Sequence, residues 1–297
     1  MESTGSDLVR RQDFDAEGPV EVDVALLAGR VQVHLVDEPG VHVELRHDPG
    51  AGESWTAGLS GLLTWVNDQF GSNRGQQAGP TEAVRDAQVE FTGQRLVVHA
   101  SKALPLRAVP LGVVVRAPNG SHVTTKTGSA DVTVTGAAGR LDLNTGTGSV
   151  NADRADGAAQ VTTGSGKVRL GPMLGGLKAK TGSGDIEVSS IGGNTTLYTG
   201  TGDVWLGAVQ DDVQVRTGSG DVTVADAASG RLHMGTGSGD VRVGVRPGVA
   251  AQIDLASNSG SARSDLEVSK TPPEDEPSLF VTGRTSSGHA LVTTSAS

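Results

Sequence analysis

The stretch Thr181-Gly-Ser-Gly-Asp-Ile-Glu-Val188 recurs as Thr199-Gly-Thr-Gly-Asp-Val-Trp-Leu206 and as Thr217-Gly-Ser-Gly-Asp-Val-Thr-Val224, and this recurrence decides the fold. Related copies begin at Thr127, Thr145, Thr163 and Thr236, so that five intervals are eighteen residues and the last is nineteen. Degenerate copies follow at Ser257-Asn-Ser-Gly-Ser and Thr285-Ser-Ser-Gly-His. A fixed period of this kind marks a repeat architecture in which one module stacks on the next.

Aligning the copies separates inward from outward positions, because a strand alternates sides. One column reads Val132, Val150, Val168, Ile186, Val204, Val222 and Val241; the next but one reads Val134, Ala152, Leu170, Val188, Leu206, Val224 and Val243. Both are wholly apolar and must face a core. Between them lie Thr133, Asn151, Arg169, Glu187, Trp205, Thr223 and Arg242, which share no chemistry and belong to the solvent face. A second strand in each coil contributes Leu141, Ala159, Leu177, Thr195, Val213 and Leu232, then Leu143, Val161, Ala179, Leu197, Val215 and Met234. Ala137, Ala155, Met173, Ile191, Val209 and Ala227 form a corner column. One coil has too few inward side chains to offset the entropy of ordering its own backbone, so coils must stack to be stable. Paired glycines such as Gly182 and Gly184 are expected where φ is positive or adjacent turns approach closely. The expected fold is therefore all-β: a single-stranded, right-handed β-solenoid of about eighteen residues per coil.

Upstream, Val22/Val24/Leu26, Val31/Val33/Leu35 and Val41/Val43/Leu45 alternate in the same way, interrupted by Ala28-Gly29 and Asp37-Glu-Pro-Gly40. They read as irregular opening coils, with further strands around Val89-Phe91, Leu96-Val98 and Val113-Val115. Residues 50–86 break the pattern. Trp55, Leu59, Leu62, Leu63, Val66 and Phe70 recur at helical spacing behind Ser54 as N-cap, and Trp65 flanks the stripe. This predicts an inserted amphipathic helix. The organisation expected is a disordered segment 1–13 followed by one solenoid domain, 14–297. Within it, 14–49 and 87–126 are irregular coils, 50–86 the insert, 127–243 the regular repeats, and 244–297 the closing coils with a proline-rich loop at 270–277.

Composition agrees. There are 43 glycines but only 3 tryptophans, 1 tyrosine and 4 phenylalanines, a balance suited to short β-branched strands joined by glycine turns. With 24 Lys and Arg against 34 Asp and Glu the formal charge is -10, and no basic run marks a phosphate-tracking face, which argues against a nucleic-acid partner. No apolar run approaches the ~20 residues of a membrane span, and Met1 to Arg11 lacks a secretory apolar segment. The expected location is the cytoplasm. The absence of cysteine removes disulfides, thiolate metal sites and cysteine nucleophiles.

The opening strands, the repeated Thr-Gly-Ser-Gly-Asp-Val-x-Val, Val245-Arg-Pro-Gly-Val-Ala-Ala-Gln-Ile-Asp-Leu255, Ser264-Asp-Leu-Glu and Gly283-Arg-Thr-Ser-Ser-Gly-His289 together resemble the bacterial β-strand-repeat family named "putative adhesin", a domain of unknown function. The resemblance runs over about residues 14–295 without the insert. It implies a β-solenoid and supplies no catalytic residues.

Three candidate sites stand out. Asp131, Asp185, Asp203, Asp221 and Asp240 form an acidic column, interrupted by Ser149 and Lys167. Calcium solenoids use similar turns, but with a nine-residue period; the simpler reading has each carboxylate bonding backbone amides of its own turn. Asp185, Asp203, Asp221 and Asp240 are the calcium candidates. Tyr198 and Trp205 occupy outward columns on either side of one turn, as a small aromatic platform for a sugar or peptide. Trp55, Leu59, Leu62, Trp65, Val66 and Phe70 on the insert either cover the solenoid or dock a partner. The histidines at 34, 42, 47, 99, 122, 233 and 289 lack metal-ligand spacing, and no outward columns converge as a catalytic groove requires. The function expected is non-enzymatic binding or scaffolding without a cofactor, with a protein or glycan partner and with self-association through the insert or the solenoid ends. The competing readings are a carbohydrate-active enzyme on a β-helix and a calcium-stabilised repeat protein.

Overall fold

A computed structural model describes residues 8–51, 79–266 and 277–295. The chain divides into two compact units, Met1–Gly136 with Leu143–Gly148, and Ala137–Asp142 with Ser149–Ser297. Most of the proposed insert helix, including Trp55, Leu59, Leu62, Trp65, Val66 and Phe70, lies outside the described residues.

The second unit shows the register demanded by the repeat. Val168 pairs in parallel with Val150 on one side and Ile186 on the other; Ile186 pairs with Val204, Val204 with Val222, and Val222 with Val241. On the other strand of each coil, Val161, Ala179, Leu197, Val215 and Met234 follow one another. All of these side chains are buried, as are the corner residues Ala155, Met173, Ile191, Val209 and Ala227. Continuous aliphatic rows therefore run through the interior, and each strand's amides are satisfied by the coils before and after it.

Two kinds of polar bond reinforce the stacking at the turns. The alternation that puts Val213 and Val215 inside carries on to Thr217, so the motif threonines are buried too. Thr199 Oγ donates to the Gly184 carbonyl at 3.1 Å, Thr217 to Gly202 at 3.2 Å and Thr236 to Gly220 at 2.9 Å, in each case reaching into the preceding coil. The expected close approach holds at both paired glycines. A Cβ on Gly182 would lie 2.5 Å from the Gly164 carbonyl oxygen, and one on Gly184 2.2 Å from that of Gly166.

At its C-terminal end this unit departs from chain order. Strand Leu279–Ser287 pairs in parallel with Gly230–Ser238 on one edge and with Ala251–Ser257 on the other, and Ala290–Thr294 lies likewise between Val241–Val245 and Ala262–Ser264. The last coil of the sequence is thus inserted between the two coils that precede it. The degenerate motifs stack in the spatial order Thr236, Thr285, Ser257.

The first unit contains the same device. Strand Glu21–Val36 follows one coil around, pairing in parallel with Arg95–His99 and Leu111–Pro118 on one edge and with His122–Thr135 on the other. The first coil of the sequence is therefore interior to later ones. The expectation that Val41/Val43/Leu45 forms another opening half-coil is corrected: Val41–His47 runs antiparallel to Leu111–Pro118. Asp37-Glu-Pro-Gly40 reverses the chain instead of carrying it round, with Gly40 at φ +93°. Gln88–Thr92 is antiparallel to Arg95–His99 as well, and Arg10–Phe14 to Val41–Leu45, so order begins earlier than residue 14. Phe14 stacks on Phe91 with centroids 5.2 Å apart, which fixes these outer strands together. Antiparallel strands cannot propagate a parallel coil, so they cover the edge it would otherwise expose. The short helix Pro80–Asp86 buries Ala83 and Val84, and Arg10 donates to the carbonyls of Arg85 and Ala87 at its C-terminal end, at 3.1 and 2.6 Å.

Candidate functional site

The acidic column has a structural task. Asp185 Oδ1 accepts from the backbone N–H of Asp203 at 3.1 Å, Asp203 from Asp221 at 2.8 Å, Asp221 from Asp240 at 2.8 Å, and Asp240 from His289 at 2.8 Å. Each carboxylate thus bonds the next coil in space, where the sequence reading placed the bond within its own turn. The step from Asp240 to His289 again passes over the intervening residues of the chain. Arg242 bridges Asp221 and Asp240, and Lys167 lies 3.8 Å from Asp185, so neighbouring cations relieve the repulsion along the column. Among the described residues, no group of three or more His, Asp and Glu side chains is arranged to hold a metal ion.

Carboxylate pKa values shift where such pairs are tightest. Hydrogen bonding from Lys167, and then from Arg169, holds Glu187 below the usual range against the opposing effect of its desolvation. The Arg246 guanidinium does the same for Asp226, helped by Ser295 from the end of the last strand. A carboxylate whose pKa is lower folded than unfolded stabilises the fold above its unfolded pKa of about 4, and that contribution is lost as pH falls through the folded value. These groups are partly exposed, so solvent screening keeps the contribution of each pair small. The difference in melting temperature between the wild type and a Glu187→Gln/Asp226→Asn double variant is expected to be a few degrees at pH 7 and to shrink as the pH falls below the unfolded carboxylate range and through the lowered folded values.

The two outward aromatics lie on different strands. Tyr198 is 47% exposed and Trp205 44%. Trp205 stands between Glu187 and Thr223 on the Val-x-Val strand, with its ring edge over Gly207. Tyr198, on the preceding strand, lines an open recess of about 600 Å³ from which Trp205 is absent. The outward row across this recess runs Lys180, Tyr198, Arg216, Gly235, Arg284 and Ala256 in strict parallel register. A second, overlapping recess shares Arg216, Gly235 and Arg284 and adds His233 and Asp254. Asp254 is the only carboxylate in either lining, and its Oδ2 lies 3.4 Å from Arg284 Nη2. Glycoside hydrolysis uses a pair of carboxyl groups, which these recesses do not offer. The sequence singles out Tyr198, which lines this recess, but not Arg284, which enters from the inserted last coil. Only the spatial order of coils brings Arg216 and Arg284 to either side of Gly235.

A parallel β-solenoid held by threonine and aspartate ladders, with irregular aromatic and basic side chains on its outward rows, is a repeat protein whose variable surface is separate from its structural core. The chain belongs to the Toastrack DUF4097 family, which matches residues 112–295. No curated protein matches it. Among solved structures it is similar to a "putative adhesin" from Bacteroides fragilis, at 11% identity and TM-score 0.44, covering 97% of this chain and 98% of that one. A "putative adhesin" from Parabacteroides distasonis shares 10% identity at TM-score 0.30, with 97% and 98% covered. A "putative lipid binding protein" from the same species shares 8% identity at TM-score 0.33, with 96% of each chain covered. No helix among the described residues is long and apolar enough to cross a membrane.

Proposed function

We propose that this protein is a non-enzymatic binding or scaffolding module, adhesin-like in mode, which presents a rigid outward face of its solenoid to a glycan or protein partner. The observation that carries this reading is the separation of roles within each coil. Inward rows and turn ladders are uniform, whereas the outward rows vary and hold Tyr198 and Trp205 about half exposed. Fixed backbone spacing keeps such side chains at set distances without ordering cost on binding, which favours recognition of an extended ligand. The names of structurally similar proteins as adhesins are consistent with this role.

The test is to display the wild type, Tyr198→Ala and Trp205→Ala on arrays of glycans and peptides. Loss of an exposed aromatic contact is expected to weaken the captured ligands about threefold to tenfold in at least one variant. Unchanged capture of every ligand by both variants, or no capture by the wild type, would overturn the reading.

A further inference from the structure

Gly235 differs from the motif glycines around it. Its backbone is outside the left-handed region and a Cβ built on it would meet nothing within 4 Å. Neither conformation nor crowding requires glycine there. Its effect is to leave an opening in the outward row between Arg216 and Arg284, whose Cα atoms, two strands apart, are on the order of 9–10 Å from each other. Among the described residues no carboxylate pairs with Arg216, and Arg284 has only the 3.4 Å contact with exposed Asp254. The same face carries Lys178 and Lys180, so a chain of formal charge -10 concentrates cations here.

We propose that the Arg216–Gly235–Arg284 recess, with Tyr198 at one end, binds an acidic saccharide: a carboxylate lies between the two guanidinium forks and a sugar ring against the tyrosine. The inference rests on the binding reading above and names its site and ligand class. Guanidinium forks match carboxylates in a bidentate manner. Asn258 and Ser286 at the rim supply partners for hydroxyl groups. Spacing favours a saccharide over an acidic peptide. A hexose unit in an extended chain advances by about as much as one coil, ~4.8 Å, so successive sugars keep step with successive rows, whereas a strand advances ~3.3 Å per residue and drifts out of step.

Trigalacturonate titrated calorimetrically into the full chain is the test, with maltotriose as the neutral arm and a short poly-glutamate as the peptide arm. Trigalacturonate is expected to bind at least tenfold more tightly than either. Gly235→Leu, which fills the opening without touching a charge, and Arg216→Gln should each reduce its affinity at least tenfold with the melting transition unchanged, while Thr223→Ala, outside the recess, leaves it intact. Equal binding of maltotriose or poly-glutamate, or wild-type affinity in Gly235→Leu, would overturn the site. If Trp205→Ala alone abolished binding, the recess would fail while the display function stood; if neither trigalacturonate nor any arrayed ligand bound, both would fail.

Discussion

Gly220→Ala is expected to destabilise the protein by about 4 kcal/mol and to lower its melting temperature by about 10 °C, whereas Gly235→Ala, fifteen residues on, is expected to be neutral within about 0.5 kcal/mol. At Gly220 two penalties coincide. Its φ of +139° is a conformation that a side chain strains by roughly 1–3 kcal/mol. The added Cβ would lie 2.1 Å from the Gly202 carbonyl oxygen, and relieving that overlap must separate adjacent coils at a further cost of about 1–3 kcal/mol. The Gly202 carbonyl is also the acceptor for Thr217, and the Gly220 N–H donates to the Ser238 carbonyl at 2.8 Å, so a local shift disturbs bonds on both sides. None of this applies at Gly235, where the new methyl enters open space. Thermal unfolding of the two variants side by side checks the claim; equal melting temperatures would show that the turns do not pack as described.

How much of this was legible in the sequence follows from the range over which each feature is encoded. The rows Val168, Ile186 and Val204 could be read because the period repeats the same chemistry at the same phase, and parallel pairing in register is the one arrangement that buries every member. The close approach at Gly182 and Gly184 could be read for the same reason. The position of Glu21–Val36 between later coils, and of Leu279–Ser287 between earlier ones, could not. Alternating apolar residues state that a strand has a buried face, but not which edge it adds to, and a coil inserted out of order buries its residues as well as one added at the end. The antiparallel direction of Val41–His47 was hidden likewise, since strand alternation is the same in either direction. In the site, Tyr198 and Arg216 are one period apart and shared a column from the start. Arg284 is 68 residues beyond Arg216, and its place two strands away depends wholly on the inserted coil.

The repeat also determines what can be removed. Excising Val168–Asp185, one whole coil of eighteen residues, is expected to leave a folded β protein melting cooperatively within about 5 °C of the wild type. Lys167 would then lead into Ile186, and the rows would close as Val150 on Ile186 and Ala155 on Ile191, partners that already face each other across Val168 and Met173. In a stack governed by nearest-neighbour contacts, one interface is lost and the others persist. Removing only nine residues, Val168–Gly176, deletes less chain yet is expected to abolish cooperative unfolding. Leu177 would take the place of Val168 and Lys180 that of Gly171, where a Cβ would lie 1.7 Å from the Asp153 carbonyl oxygen. The contacts that span the junction, Thr163 beside Thr181 and Lys167 beside Asp185, would also lose their partners, because every later coil would be turned by half a circuit relative to the earlier ones. Circular dichroism melts of the two deletions decide the matter: the longer must fold and the shorter fail. The reverse order, or equal tolerance, would mean that stability does not reside in the matching of equivalent positions from coil to coil.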